Sequence, residues 1–146
     1  MFYEIFETWK RPAICLIFLI IFFSIAKPND LDASQYIEQA NRDLHSGNYD
    51  EVILNCTMAI EIEPASSDAY FMRGLAYYEL GKFDQAISDY SHTIRLNSNR
   101  ADAYNNRGLA YEKKSNLRQA ILDYRRALEI DPEHNAARKN LDRLKK

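Results

Sequence analysis

Three histidines, two cysteines and a few close acid pairs are the side chains here that could carry catalysis or hold a metal. A helical metal pair needs two imidazoles at i and i+4, as in HExxH. His45, His92 and His134 stand far from one another, and none has such a partner. Cys15 falls in an apolar N-terminal run and Cys56 inside a helical pattern, so no bridge between them is expected. Neither stands at ligand spacing to another Cys or a His. Cys56 reads instead as a small buried hydrophobe. The acid pairs Glu61/Glu63 and Asp131/Glu133 fall at the ends of helical patterns, facing solvent, whereas acid–base catalysis needs its groups within reach of one substrate. The four glycines are isolated, so no Gly-rich loop cradles a phosphate. No spacing of Ser, His and Asp pairs a nucleophile with a base. These residues predict no catalytic, cofactor or metal site, and the question passes to the elements that would build a binding surface.

The totals narrow the partners. A chain of 146 residues suits one domain, and its 47% apolar and 12% aromatic content allows a core. A mean hydropathy of -0.47 excludes a polytopic membrane protein. A net charge of -2 is too balanced to imply nucleic acid, and nothing points to a small-molecule substrate. The distribution is less even. Lys27 to Asn99 carry five basic and twelve acidic residues, a net of -7, while Arg100 to Lys146 carry twelve basic and seven acidic, a net of +5. Such polarity suits steering of a partner or head-to-tail association; drift on solvated helix faces is the plainer account. The oligomeric state is left open.

The N-terminal segment reads as targeting, not as part of the core. Residues 13–26, AICLIFLIIFFSIA, are 14 uncharged residues preceded by Lys10 and Arg11 and followed by Lys27 and Pro28. A perpendicular membrane span needs roughly 20 residues, and runs of 10–14 are typical of signal-peptide cores. Ser24 and Ala26 supply small residues for cleavage after Ala26. Against cleavage stand Glu4, Glu7 and the length of the leading segment. Trp9 at an interface with Lys10, Arg11 and Lys27 snorkelling would suit a short retained anchor. Residues 1–26 are therefore expected to be a signal peptide or a signal-anchor touching the membrane through 13–26 if uncleaved. Lys10 and Arg11 prefer the cytoplasmic side, which places the remainder outside the cytoplasm. Residues 27–32 form a linker.

The rest of the chain repeats. Shifted by 34 residues, the stretch from Asp68 to Tyr90 falls on Asp102 to Tyr124 with thirteen identities, among them Tyr70/Tyr104, Arg73/Arg107, Gly74/Gly108, Ala86/Ala120, Asp89/Asp123 and Tyr90/Tyr124. A fixed period of this size marks stacked helices. Residues 33–66 keep the frame more loosely through Tyr36, Gly47, Asp50, Ile53 and Ile60. Apolar residues at three- and four-residue steps predict helices near 33–46, 49–62, 67–80, 83–96, 101–114 and 117–130. Asp68 is expected to cap the third of these. Gly47 and Gly81 suit left-handed helix ends, with Asn116 of Ser115-Asn116 taking that part in the last unit. Gly74 and Ala86 are small where two helices must approach closely, and Tyr70, Tyr77, Tyr104 and Tyr111 are expected in the core. A last helix near 135–145, with Ala137, Leu141 and Leu144 on one face and charges elsewhere, would cap the array.

These residues resemble the tetratricopeptide repeat (TPR) family. The family's pattern of aromatic, small residue, Tyr, Ala, aromatic, Ala and Pro is complete in residues 101–134 as Tyr104, Gly108, Tyr111, Ala120, Tyr124, Ala127 and Pro132. It is partial in 67–100, where Thr93 and Ser98 depart, and weaker in 33–66, where Asp43, Val52 and Cys56 depart. The resemblance covers 33–146. It implies an all-α solenoid of three helix-turn-helix units (33–66, 67–100, 101–134) and a capping helix (135–146), winding as a right-handed superhelix; the apolar run ahead of it adds the expectation of a short hydrophobic N-terminal helix. It also implies a concave groove that takes a protein or peptide. On the groove side lie Ile37 and Asn41, then Phe71, Met72, Leu75 and Tyr78, then Asn105, Asn106 and Leu109. Phe71, Met72 and Tyr78 are unusually apolar for a solvent face, and Asn105 and Asn106 could hold a peptide backbone. Family members that grip chaperone carboxylates use Lys and Asn, then Asn, then Lys and Arg at positions occupied here by Ile37, Asn41, Met72, Asp102 and Asn106. Only Asn41 fits, so that clamp is not expected. The expected function is an exported or membrane-tethered interaction adaptor. The alternative is a structural component self-assembling through its acidic and basic parts.

Overall fold

Each stretch with apolar residues at helical steps becomes a helix in the computed structural model, which describes residues 31–145. The expected leader or anchor, and most of the linker, lie outside the described residues. Among the described residues no helix is long and apolar enough to cross a membrane.

Helix α1 (Ala33–Ser46) starts on a capping box. The Asp32 carboxylate accepts from the Gln35 amide at 2.9 Å, and the Gln35 side chain accepts from the Asp32 amide at 2.9 Å. It stops at Gly47, whose φ of 75° is the left-handed conformation that glycine adopts without a Cβ clash. Helices α2 (Tyr49–Ile62), α3 (Ser67–Glu79), α4 (Phe83–Leu96), α5 (Ala101–Lys113), α6 (Leu117–Ile130) and α7 (Asn135–Leu144) follow, each within one residue of its expected bounds. Two local expectations need correction. Asp68 is not a cap: Ser66 precedes the helix, and Asp68 sits in its first turn, paired with Arg100. There its charge suits the helix dipole. At the last turn Ser115, not Asn116, takes the left-handed φ of 59°. Asn116 instead caps α6, accepting from the Gln119 amide at 3.3 Å.

Each helix packs against its successor, and α1 with α3 and α3 with α5 also touch. The α1, α3 and α5 layer therefore forms one continuous face. The core is alanine-rich between helices, with Tyr90 and Tyr124 as its largest fully buried side chains. Tyr104 is buried as expected, but Tyr70, Tyr77 and Tyr111 are half-buried. Tyr70 and Tyr77 flank Arg73, whose guanidinium lies 5.5 and 6.0 Å from their rings, and Tyr111 packs against the cluster of Ala120, Tyr124 and Leu141. The tight approach predicted at Gly74 is against a ring. A Cβ there would lie 2.8 Å from Cε1 of Tyr90, and one on Gly108 would lie 2.7 Å from Cε1 of Tyr124.

The two tyrosines differ at their tips. Tyr124 donates its hydroxyl to Glu112, while the buried hydroxyl of Tyr90 has no partner among the described residues. The cause is one substitution in the repeat: Tyr78 occupies the register of Glu112.

Two outcomes follow from this packing. Gly108→Ala drives a methyl into a ring with nowhere to move, and should lower the urea-unfolding free energy by about 1–3 kcal/mol although alanine is the better helix former. The tyrosine pair should respond oppositely to loss of the hydroxyl. Tyr124→Phe strands Glu112's contact and costs about 1–2 kcal/mol, whereas Tyr90→Phe removes an unpaired polar group and is neutral or stabilising. Equal losses in the two variants would contradict the assignment.

Candidate functional site

The α1–α3 contact leaves a cleft of about 440 Å³. Helical spacing builds its floor: Ile37 and Leu44 come from one side, Phe71, Met72 and Leu75 from the other. Ser34, Glu38 and Asn41 edge it on α1, and Asp68 and Arg100 close one end. Met72 is buried and shares a core cluster with Ala40, Val52, Cys56 and Ala76, so it is a floor residue and not a solvent-facing one. Phe71 is half-buried, its ring 5.9 Å from that of Tyr90. The edge residues Ser34, Glu38, Asn41 and Asp68 are exposed.

Arg100 is the residue that sequence reasoning did not place here. It precedes α5, yet its guanidinium lies 3.8 Å from the centre of the Phe71 ring and pairs with Asp68. The available signal was the repeat itself. Asp102 and His134 have the same spacing as Asp68 and Arg100, and the His134 Nε2 lies 3.0 Å from the Asp102 carboxylate. His134 Nδ1 accepts from the Ala137 amide at 3.2 Å and so caps α7, which leaves the ring proton on Nε2 to be donated to Asp102.

Of the nine groove residues expected, Ile37, Asn41, Phe71, Met72 and Leu75 meet in this cleft. The other four lie elsewhere. Tyr78 packs edge-on against Phe83 at 5.6 Å. Leu109 is half-buried beside Tyr124 and Leu141. Asn105 is only 5% exposed; its Oδ1 accepts from Asn140 of α7 at 3.0 Å, and its Nδ2 donates to Asn106 at 3.1 Å. The amides expected to hold a backbone are therefore engaged with each other and with the capping helix.

The chemistry of the remaining groups is quiet. Burial pushes the Cys56 thiol up to about 12, far from a reactive thiolate. His92 stacks on Tyr70 at 4.7 Å, and burial together with the nearby Arg95 holds it below its usual value. Among the described residues no group of three His, Cys, Asp or Glu side chains could hold a metal ion. What the cleft offers is apolar contact, exposed carboxylates and hydrogen-bonding edges.

Comparison with known proteins fits this geometry. Models of the TPR repeat match residues 74–115, and models of the tetratricopeptide repeat match 55–88 and 101–134. No curated protein sequence matches the chain significantly. Solved structures do. The first TPR of Spaghetti (RPAP3), bound to the HSP90 peptide SRMEEVD, is 30% identical with a TM-score of 0.76, the match covering 82% of this chain and 95% of that one. The Arabidopsis OM64 TPR domain is 27% identical (TM-score 0.75; 77% and 93% covered). The second TPR domain of human RPAP3, in complex with the HSP70 peptide SGPTIEEVD, is 25% identical (TM-score 0.75; 78% and 95% covered). With a 34-residue repeat, paired helices stacked in register and these matches over nearly all of the described residues, the chain belongs to the tetratricopeptide repeat family.

Proposed function

We propose that the chain is an interaction adaptor that binds a peptide or protein segment in the α1–α3 cleft. The observation that carries this is the cleft's make-up: a floor of large apolar side chains, open to solvent, with exposed polar groups at its edges. The peptides held by the Spaghetti and human RPAP3 domains support the mode. Their acidic SRMEEVD and SGPTIEEVD sequences do not carry over. Ile37, Met72, Asp102 and Asn106 give this chain no cation at the positions where the resemblance would put a carboxylate grip.

The second part of the proposal is location. The uncharged run 13–26 behind Lys10 and Arg11 supports export or tethering, with the repeats outside the cytoplasm. Self-association between the acidic and basic parts is the weaker reading. Where α3 buries Ala69, Met72 and Ala76 against the first unit, α1 presents exposed Gln35, Glu38 and Arg42 at the same register. A copy stacking there would gain charge contacts but little apolar burial.

Two measurements check the proposal. Asn41 is exposed on the cleft edge, so Asn41→Trp should fill the cleft without touching the core. Together with Phe71→Glu it should abolish partner recovery in a pull-down while circular dichroism shows the helices intact. Undiminished recovery would sink the groove assignment. For location, the intact mass of the protein from its native membrane fraction should match either the whole chain or the chain beginning at Lys27. Recovery only from the cytosol, uncleaved, would reject export.

A further inference from the structure

Resting on the groove assignment above, we infer that the cleft takes a segment in which an apolar side chain is flanked by Lys or Arg, and that it discriminates against acidic segments.

The floor sets the apolar half of this requirement. Ile37, Phe71 and Leu75 are each only half-buried by the protein, so a further apolar side chain laid on them removes more surface from water. The edges set the charged half. Arg100 is the cation among the cleft-lining residues, and it is held from two sides, over the Phe71 ring and paired with Asp68. Its side chain is 23% exposed. Asp68 already offsets much of its charge, which weakens its pull on a ligand carboxylate. The carboxylates are placed the other way round. The side chains of Glu38 and Asp68 are 70% and 66% exposed at the cleft edge. Each gives one oxygen to an arginine, Glu38 Oε1 to Arg42 and Asp68 Oδ1 to Arg100. The second oxygen of each has no hydrogen-bond partner among the described residues, and can accept from a ligand ammonium or guanidinium without breaking the existing pair.

The wider field has the same sign. Residues 33–100, which form the two units framing the cleft, carry five basic and ten acidic side chains, a net of -5. The compensating positive charge lies in α5 to α7, beyond the cleft. A basic segment would therefore be attracted from a distance as well as held at the edge, and an acidic one repelled on both counts.

The test uses the full-length chain and three fluorescein-labelled peptides of equal length. They share a Leu-Phe-Leu centre and differ only in flanks of Lys/Arg, Asn/Gln or Asp/Glu. Fluorescence anisotropy should rank them basic, neutral, acidic, with a Kd ratio of about ten-fold or more between the extremes at low salt. The ratio should shrink as salt shortens the screening length. Glu38→Lys, an exposed change with no core contact, should narrow the ratio several-fold, and Asp68→Asn should act in the same direction. If the acidic peptide binds as tightly as the basic one, and Asn41→Trp still abolishes both, the charge inference is wrong while the groove assignment stands. A ratio that ignores Glu38→Lys and Asp68→Asn overturns it equally. If no peptide binds, or binding survives Asn41→Trp and Phe71→Glu, the groove assignment falls and takes this inference with it.

Discussion

The array depends on one ion pair used twice. Arg73 on α3 grips Asp89 on α4 through Nε and Nη2 at 2.8 and 2.9 Å, and Arg107 on α5 grips Asp123 on α6 at 2.8 and 2.8 Å. Each arginine then reaches back one unit with Nη1, to Thr57 at 3.1 Å or Ser91 at 3.0 Å. Those hydroxyls in turn donate to the carbonyls of Ile53 and Ile87. One planar fork therefore fixes the pairing within a unit and the stacking between units, a task lysine's single ammonium could not share. Burial alone would pull Arg107 down, but the Asp123 contacts outweigh it and both arginines stay above their ordinary range. Such a pair adds less net stability than its geometry suggests, because both charges were well solvated before folding. Its contribution is register: alanines would tolerate a slipped helix pair, and a bidentate fork would not.

The same ladder shows where the array stops. The first unit has Gln39 and Asn55 in the registers of Arg73 and Asp89, and Asn55 turns to Asp43 at 2.9 Å instead. At the other end α7 carries Leu141 in the register of Arg107, and the residue in the register of Ser91 is Arg125, exposed to solvent. Docking of α7 relies on other contacts. Leu141 and Ala137 are buried, and Arg143 holds Glu112 through two bonds of 2.8 Å. Burial would raise the Glu112 carboxyl, but its bonds to Arg143 and Tyr124 prevail and hold it below its usual value.

Much of this was legible in the sequence because much of it is local. Helix limits follow from apolar spacing and from the glycines Gly47 and Gly81 at left-handed helix ends, neither of which needs knowledge of the rest of the chain. The misreadings were of two kinds. Ser115 and Asn116 both tolerate turns, and only the cap that Asn116 makes to Gln119 decides which one takes the left-handed angle. Arg100 and Asn105 depend on distant partners. Nothing near Arg100 in sequence reports the Phe71 ring, and nothing near Asn105 reports that Asn140 takes its carbonyl. A helix-face argument can say which side a residue occupies, but not whether a later element has already claimed it.

That distinction explains why the cleft lies between α1 and α3. The groove face runs through three helices in one register: Ile37, Glu38, Asn41 and Leu44; then Phe71, Met72, Leu75 and Tyr78; then Asn105, Asn106, Leu109 and Glu112. Its apolar content peaks in the middle helix. On the α5 side two of the three polar members are engaged by α7, since Asn105 binds Asn140 and Glu112 binds Arg143. The capping helix thus satisfies an amide and a carboxylate of the α5 stretch that could otherwise have met a ligand. On the α1 side Asn41 stays exposed and Phe71 and Leu75 are only half-covered. Repetition gives α3 and α5 the same backbone frame, but the contacts that α7 makes beside α5 leave the two chemically unequal. The surface left for recognition is therefore set as much by what α7 takes from the groove as by what α3 contributes.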